Sequence, residues 1–173
     1  MNQKKSYIKI VGASKVRELL QYLKDNGPTR YKELNTFIGT GTLNERLVEL
    51  SESGLIQSER RGERNFKFYE PTEKGLKVLE WLQRIDEDVL KELTLRHVLE
   101  ILEATNEKGK MRYTDLMEHI QQPPFLKLHE LYDLGLLDHI IIRVERREEW
   151  YELTEKGKTV LQMVDEVVKI MAE

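Results

Sequence analysis

Residues 16–38, slid forward by 82 positions, lay Val16, Glu18, Leu20, Gly27, Arg30, Tyr31, Leu34 and Ile38 onto Val98, Glu100, Leu102, Gly109, Arg112, Tyr113, Leu116 and Ile120. The register slips by one where Glu49, Leu50, Gly54 and Leu55 meet Glu130, Leu131, Gly135 and Leu136, and recovers where Tyr69, Glu70 and Thr72-Glu73-Lys74-Gly75 meet Tyr151, Glu152 and Thr154-Glu155-Lys156-Gly157. The sequence therefore reads as an internal duplication of about 82 residues. That period exceeds a solenoid repeat and suits a small domain, so the 173 residues divide into two expected domains, 1–90 and 91–173. A unit of this size buries roughly 60–65% of its unfolded surface, so packing against the other half or a second chain is expected to add stability.

Val16, Leu19, Leu20 and Leu23 form a helical stripe that ends at Asn26-Gly27-Pro28. Tyr31 to Ile38 predicts a short helix, and Leu43, Leu47 and Leu50 the buried face of a third, running from Thr42 to Ser53 after Gly39-Thr40-Gly41. Two helices joined by a short glycine-containing turn make a helix-turn-helix unit. The period then changes to 2, with Leu55 to Arg61, a turn over 62–65, and Phe66 to Tyr69 reading as a β-hairpin. A closing helix follows from Thr72, its apolar face Leu79, Leu82, Ile85 and Val89. The second half predicts helices over 95–105, 113–120 and 125–134, a hairpin over 140–151, and a helix over 158–171. With neither glycine nor proline between Leu76 and Thr105, the halves are joined by one long helix, or by two that break near Thr94 as N-cap. The expected class is mainly α with small β-hairpins.

Three helices, a hairpin and a helix is the winged-helix order. Gly27 to Leu34, Thr42 to Leu50, Gly54-Leu55-Ile56 and Tyr69 to Gly75 resemble the winged-helix transcriptional regulators of the HxlR type, and more loosely the MarR and ArsR regulators. The resemblance covers residues 12–82 well and 95–165 in weaker form. It implies a tandem winged-helix protein of a kind frequent in archaea, with double-stranded DNA as partner, the third helix in the major groove and the wing along the phosphates.

With the three leucines facing inward, Gly41, Asn44, Glu45, Val48 and Glu52 point outward or sit on the flank. Thr40 and Thr42 could offer hydroxyls and backbone N–H groups to phosphate, Asn44 could pair with adenine, and Glu45 could accept from cytosine N4. Arg46, the helix's single cation, is assigned with them; Thr42 reads equally as an ordinary N-cap. Arg60, Arg61, Arg64 and Lys67 crowd into eight residues with only Glu63 among them, which suits phosphate contact. The alternative is a hairpin tip kept soluble by charge.

The second half departs from this pattern where Pro123-Pro124-Phe125-Leu126-Lys127-Leu128-His129 replaces the polar helix start. Phe125 and Leu126 take the positions of Asn44 and Glu45, and with His129 they mark a surface for the other half or a partner protein. The second wing mixes Arg143, Arg146 and Arg147 with Glu145, Glu148 and Glu149. The net charge of −3 hides a +2 balance over residues 1–90 and −5 over 91–173, so the halves are expected to do different jobs.

His97, His119, His129 and His139 are scattered and cysteine is absent, so neither a metal site nor a cofactor is expected. Carboxylates fall on solvent faces near Lys or Arg, and no acid/base dyad marks an enzyme. No apolar run approaches 18 residues, so a cytoplasmic protein without a membrane partner is expected. Trp81 and Trp150 read as core or interface residues. The apolar closing helices, with Val160, Leu161, Val164, Val167, Val168 and Met171 in the second, suggest packing on each other or across a homodimer. The sequence reading is a DNA-binding transcriptional regulator acting through the first repeat; the alternative is a protein-interaction scaffold built from winged helices.

Overall fold

The computed structural model describes residues 3–143 and 147–173. Its backbone forms two compact units, Met1–Ile85 with Glu166–Glu173, and Asp86–Asp165. Unit 1 contains α1 (Gln3–Val11), α2 (Val16–Asn26), β1 (Thr29–Arg30), α3 (Tyr31–Ile38), α4 (Thr40–Glu52), β2 (Ile56–Arg61), β3 (Phe66–Pro71) and α5 (Glu73–Arg84). Unit 2 contains α6 (Glu87–Thr94), α7 (Val98–Lys108), β4 (Lys110–Arg112), α8 (Tyr113–Ile120), α9 (Phe125–Asp133), β5 (Leu137–Arg143) and β6 (Arg147–Leu153). The last helix, α10 (Glu155–Ala172), contributes residues to both. The class is α+β, with two antiparallel sheets of three strands ordered β1-β3-β2 and β4-β6-β5.

Backbone features recur at the spacing of the sequence repeat. Lys15 and His97, each with φ near +70°, precede α2 and α7, and each reaches an acid three residues on, Glu18 and Glu100. Gly39 closes α3 with φ +94°, and Gln121 closes α8 with φ +55°. The Thr-Glu-Lys-Gly motif has one physical job in both places. Thr72 Oγ1 donates to Gly54 O at 2.6 Å and accepts from Gly75 N, while Thr154 Oγ1 donates to Gly135 O at 2.7 Å and accepts from Gly157 N. The hydroxyl thus caps a helix and ties it to the turn before the hairpin. A Cβ on Gly75 would sit 2.0 Å from Leu55 O, and one on Gly157 2.3 Å from Leu136 O, so only glycine admits this approach.

Unit 1 has a core of Leu19, Leu20, Leu23, Leu34, Leu43, Leu50, Leu55, Leu79, Trp81 and Leu82, all fully buried. The end of α10 and the residue after it join this unit through Lys74 Nζ to Met171 O (2.7 Å), Lys77 to Glu173 (2.9 Å) and an Arg84–Glu166 ion pair. In unit 2, Val98, Ile101, Leu102, Met111, Leu116, Leu131, Leu136 and Val164 are fully buried. Val160, Leu161, Val167 and Met171 are buried by the chain itself, and Val168 is half-buried. Trp81 is a core residue; Trp150 is half-buried under the Arg112 guanidinium.

Several boundaries differ from the sequence expectation. The run from Leu76 to Thr105 holds three helices. Ile85 turns extended and Asp86 caps α6, its carboxylate accepting from Asp88 N and Val89 N, so Ile85 and Val89 do not share one helix. The second break falls at 95–97, after Thr94, and Thr94 caps nothing N-terminally; its hydroxyl donates back to Lys91 O. α4 begins at Thr40 because the Gly39 carbonyl already accepts from Leu43 N, which makes Gly39 the boundary residue and leaves Thr42 inside the helix. α1, β1 and β4 carry no counterpart in the sequence reading. Among the described residues, no helix is long and apolar enough to cross a membrane.

Candidate nucleic-acid interface

The register of the β2–β3 hairpin decides which way each cation points. Cross-strand partners share a sheet face, and neighbours along a strand take opposite faces. Arg60 pairs with Lys67 and Ser58 with Tyr69, whereas Arg61 pairs with Phe66 and Glu59 with Phe68. Lys67 and Tyr69 line a cleft of about 410 Å³ against Asn44, Leu47 and Val48 of α4. The face carrying Arg60, Lys67 and Tyr69 therefore looks toward α4, and Arg61 lies on the reverse.

On the α4 side, Thr40, Asn44, Glu45 and Val48 are exposed and Thr42 is half-buried, above a floor of Leu43, Leu47 and Leu50. Val48 stands out as an apolar side chain 55% exposed in the middle of the helix. Ser51 and Glu52 continue the cleft wall toward the helix end, and Tyr31 of α3 completes it. Gly41 has open space around its Cα, so the first turn offers no side-chain obstacle to a close partner.

Arg46 takes no part in this surface. It is 9% exposed, its Nε donates to Ser14 O at 3.1 Å, and its guanidinium pairs with Glu49 and, at 3.6 Å, with Glu45. It fastens α4 to the turn between α1 and α2, unlike the exposed residues it is grouped with in the sequence reading. Position 46 lies three residues after Leu43 and four before Leu50, on the flank of the apolar stripe, where a long side chain can turn inward beside the leucines.

The hairpin cations divide into two groups. Arg61 is held by Glu59 at 2.6 Å and Glu70 at 3.7 Å on the reverse face. There, too, Arg30 of β1 lies over Phe66 at 5.1 Å and Phe68 at 5.5 Å, a cation–π layer that covers two aromatic rings. Lys67 lies 5.0 Å above the Tyr69 ring. Arg60 and Arg64, the latter in the turn Gly62–Asn65, are exposed and make no ion pair among the described residues. Arg60, Arg64 and Lys67 thus remain available, while Arg61 is already committed to carboxylates. Strand alternation counted outward from the buried Tyr69 is the signal that separates them; counting basic residues is not.

In the sheet of unit 2 the corresponding strand pairings carry different side chains. Tyr151 pairs with His139 and Met111, as Tyr69 pairs with Ser58 and Thr29. Counting outward, Ile141 and Glu149 occupy the places of Arg60 and Lys67. His139 stacks on Tyr151 with centroids 4.8 Å apart, Tyr132 meets it edge-on at 6.5 Å, and Glu149 lies 3.5 Å from its Nε2. Burial and then the Glu149 carboxylate push the Tyr151 phenol above its ordinary range. Phe125 and Leu126 open α9 at 63% and 73% exposure, with His129 exposed beside them and paired with Asp133 at 2.9 Å. Glu145 and Arg146 lie outside the described residues.

No protein-family model matches the chain, and no curated protein matches its sequence.

Proposed function

We propose that unit 1 is a winged-helix DNA-binding domain and that the chain is a tandem winged-helix transcriptional regulator. The helix α4 enters the major groove, and the β2–β3 hairpin is the wing on the flanking phosphates. One observation carries the reading: Arg60 and Lys67 share a sheet face with Tyr69 that looks onto the exposed side of α4. Base-reading groups and available cations therefore lie on one surface, as duplex recognition requires. Thr40, at the N-terminal end of α4, adds hydroxyl and backbone donors for a phosphate, and Asn44 and Glu45 project where base edges would pass. The recurrence of capping threonines, close-packed glycines and positive-φ positions at one spacing supports the tandem duplication.

The direct test is fluorescence anisotropy of the full chain on a random-sequence duplex at low salt. Sequence-independent binding tighter than the ~1–100 μM typical at physiological salt, weakening steeply as salt is added, is the expected result. Absence of binding up to about 100 μM would refute the DNA reading.

A second reading concerns unit 2, for which a protein-docking role is favoured by the exposed Phe125 and Leu126 and by Ile141 and Glu149 replacing Arg60 and Lys67. Apolar and acidic groups at those places suit a protein surface and repel phosphate. A Phe125→Ser, Leu126→Ser variant that keeps duplex affinity while losing a cross-linked protein partner in the source cell supports this division of labour. Loss of duplex affinity instead would assign unit 2 to DNA.

A further inference from the structure

Val48 is 55% exposed on the outer side of α4, while Leu43, Leu47 and Leu50 fill its buried side. We infer that Val48 is a specificity residue that contacts the 5-methyl group of thymine, with Asn44 one turn earlier pairing with adenine, so that unit 1 favours A·T pairs in the major groove. This inference rests on the DNA reading of unit 1 and names what that surface reads.

Residues four apart on a helix lie on one face, so Asn44 and Val48 form a continuous row along the side of α4 that borders the cleft. In the major groove only thymine presents a methyl group, and only adenine presents the N7 acceptor beside an N6 donor that an Asn amide matches bidentately. An amide followed one turn later by a branched aliphatic side chain therefore matches an A·T-containing step better than a G·C step, where the methyl is missing. Val48, 55% exposed at the edge of the cleft, offers the apolar surface against which a thymine methyl exchanges water. Lys67 lines the cleft opposite α4 and Arg60 is its cross-strand partner on the same sheet face, so both can hold the phosphate backbone while the row of Asn44 and Val48 meets the base edges.

The test uses three alternating copolymer duplexes, poly(dA-dT), poly(dA-dU) and poly(dG-dC), with the full chain and its Val48→Ala variant at one low salt concentration. Uracil differs from thymine only by the 5-methyl. The wild type is expected to bind poly(dA-dT) about fourfold more tightly than poly(dA-dU), the effect of burying one methyl, and to bind poly(dG-dC) more weakly than poly(dA-dT). Val48→Ala is expected to bind the thymine and uracil polymers alike. Equal wild-type affinity for those two polymers overturns the inference while leaving DNA binding intact. So does a thymine preference that survives in Val48→Ala, because the methyl is then sensed elsewhere. No binding to any of the three overturns the DNA reading itself, and the inference with it.

Discussion

Arg60 and Arg61 are neighbours in sequence with the same charge, yet the hairpin turns them to opposite faces, and that provides an internal control. Arg60→Ala and Arg61→Ala remove one positive charge each, so any long-range effect of net charge is common to both. Only Arg60 sits on the side of α4, without an ion pair among the described residues; Arg61 is bound to Glu59 and Glu70. Each phosphate contact on duplex DNA releases about 0.9 counterion, so three contacts from Arg60, Arg64 and Lys67 predict a wing contribution to the log–log salt slope of about −2.7. Arg60→Ala should reduce the slope's magnitude by about 0.9, which between 50 and 200 mM salt amounts to a factor of about 3.5 in relative affinity. Arg61→Ala should leave the slope within error and cost at most about 1 kcal/mol of stability, as expected for an exposed ion pair. Anisotropy titrations of wild type and both variants on one random duplex at four or five salt concentrations read both effects. Equal slope changes in the two variants would show that net charge, and not the geometry of the hairpin, governs binding, and the reasoning from strand register would fail.

Arg46→Met should lower unfolding stability by about 1–2 kcal/mol in urea titration, because Ser14 O and Glu49 lose a buried charged partner; a changed DNA salt slope in the folded variant would show that Arg46 does reach phosphate. Gly75→Ala should lower the thermal midpoint read by circular dichroism: the helix propensity gain of about 1 kcal/mol is outweighed by a Cβ 2.0 Å from the Leu55 carbonyl, which forces backbone movement costing about 1–3 kcal/mol. An unchanged or raised midpoint would mean that α5 slides freely. Burial and then the neighbouring Glu130 carboxylate raise the carboxyl of Glu92 above its ordinary value of 4.5. Native protein then holds this proton more tightly than unfolded chain, so its stabilising effect is full below pH 4.5 and is lost as pH rises through the raised value. Glu92→Gln should therefore be more stable than wild type at pH 7 and lose that advantage toward pH 4; an advantage independent of pH would assign the effect to something other than this carboxyl.

What the sequence revealed and what it hid follow from the range of the interactions involved. Helical stripes such as Val16, Leu19, Leu20 and Leu23, and the glycines that end them, are local patterns, and the elements they predict stand within a few residues of their expected places. The break at Asp86 was hidden because no glycine or proline marks it; an Asp three residues before Val89 is an N-cap only once Ile85 has turned extended, and the Ile85 carbonyl is held by Arg17, far away in the sequence. The two- and three-residue strands β1 and β4 exist only because β3 and β6 offer them an edge, and no pattern that short identifies a strand by itself. The same distinction separates the parts of the candidate surface. That Asn44, Glu45 and Val48 face outward follows from the spacing of three leucines. That Arg46 turns inward, and that Arg60 belongs with α4 while Arg61 does not, depends on the turn before α2 and on the pairing of Tyr69 with Ser58. Composition alone gives the hairpin four equivalent cations. Strand register leaves three on offer to a duplex, and the difference between three and four is a difference of about 0.9 in a measurable slope.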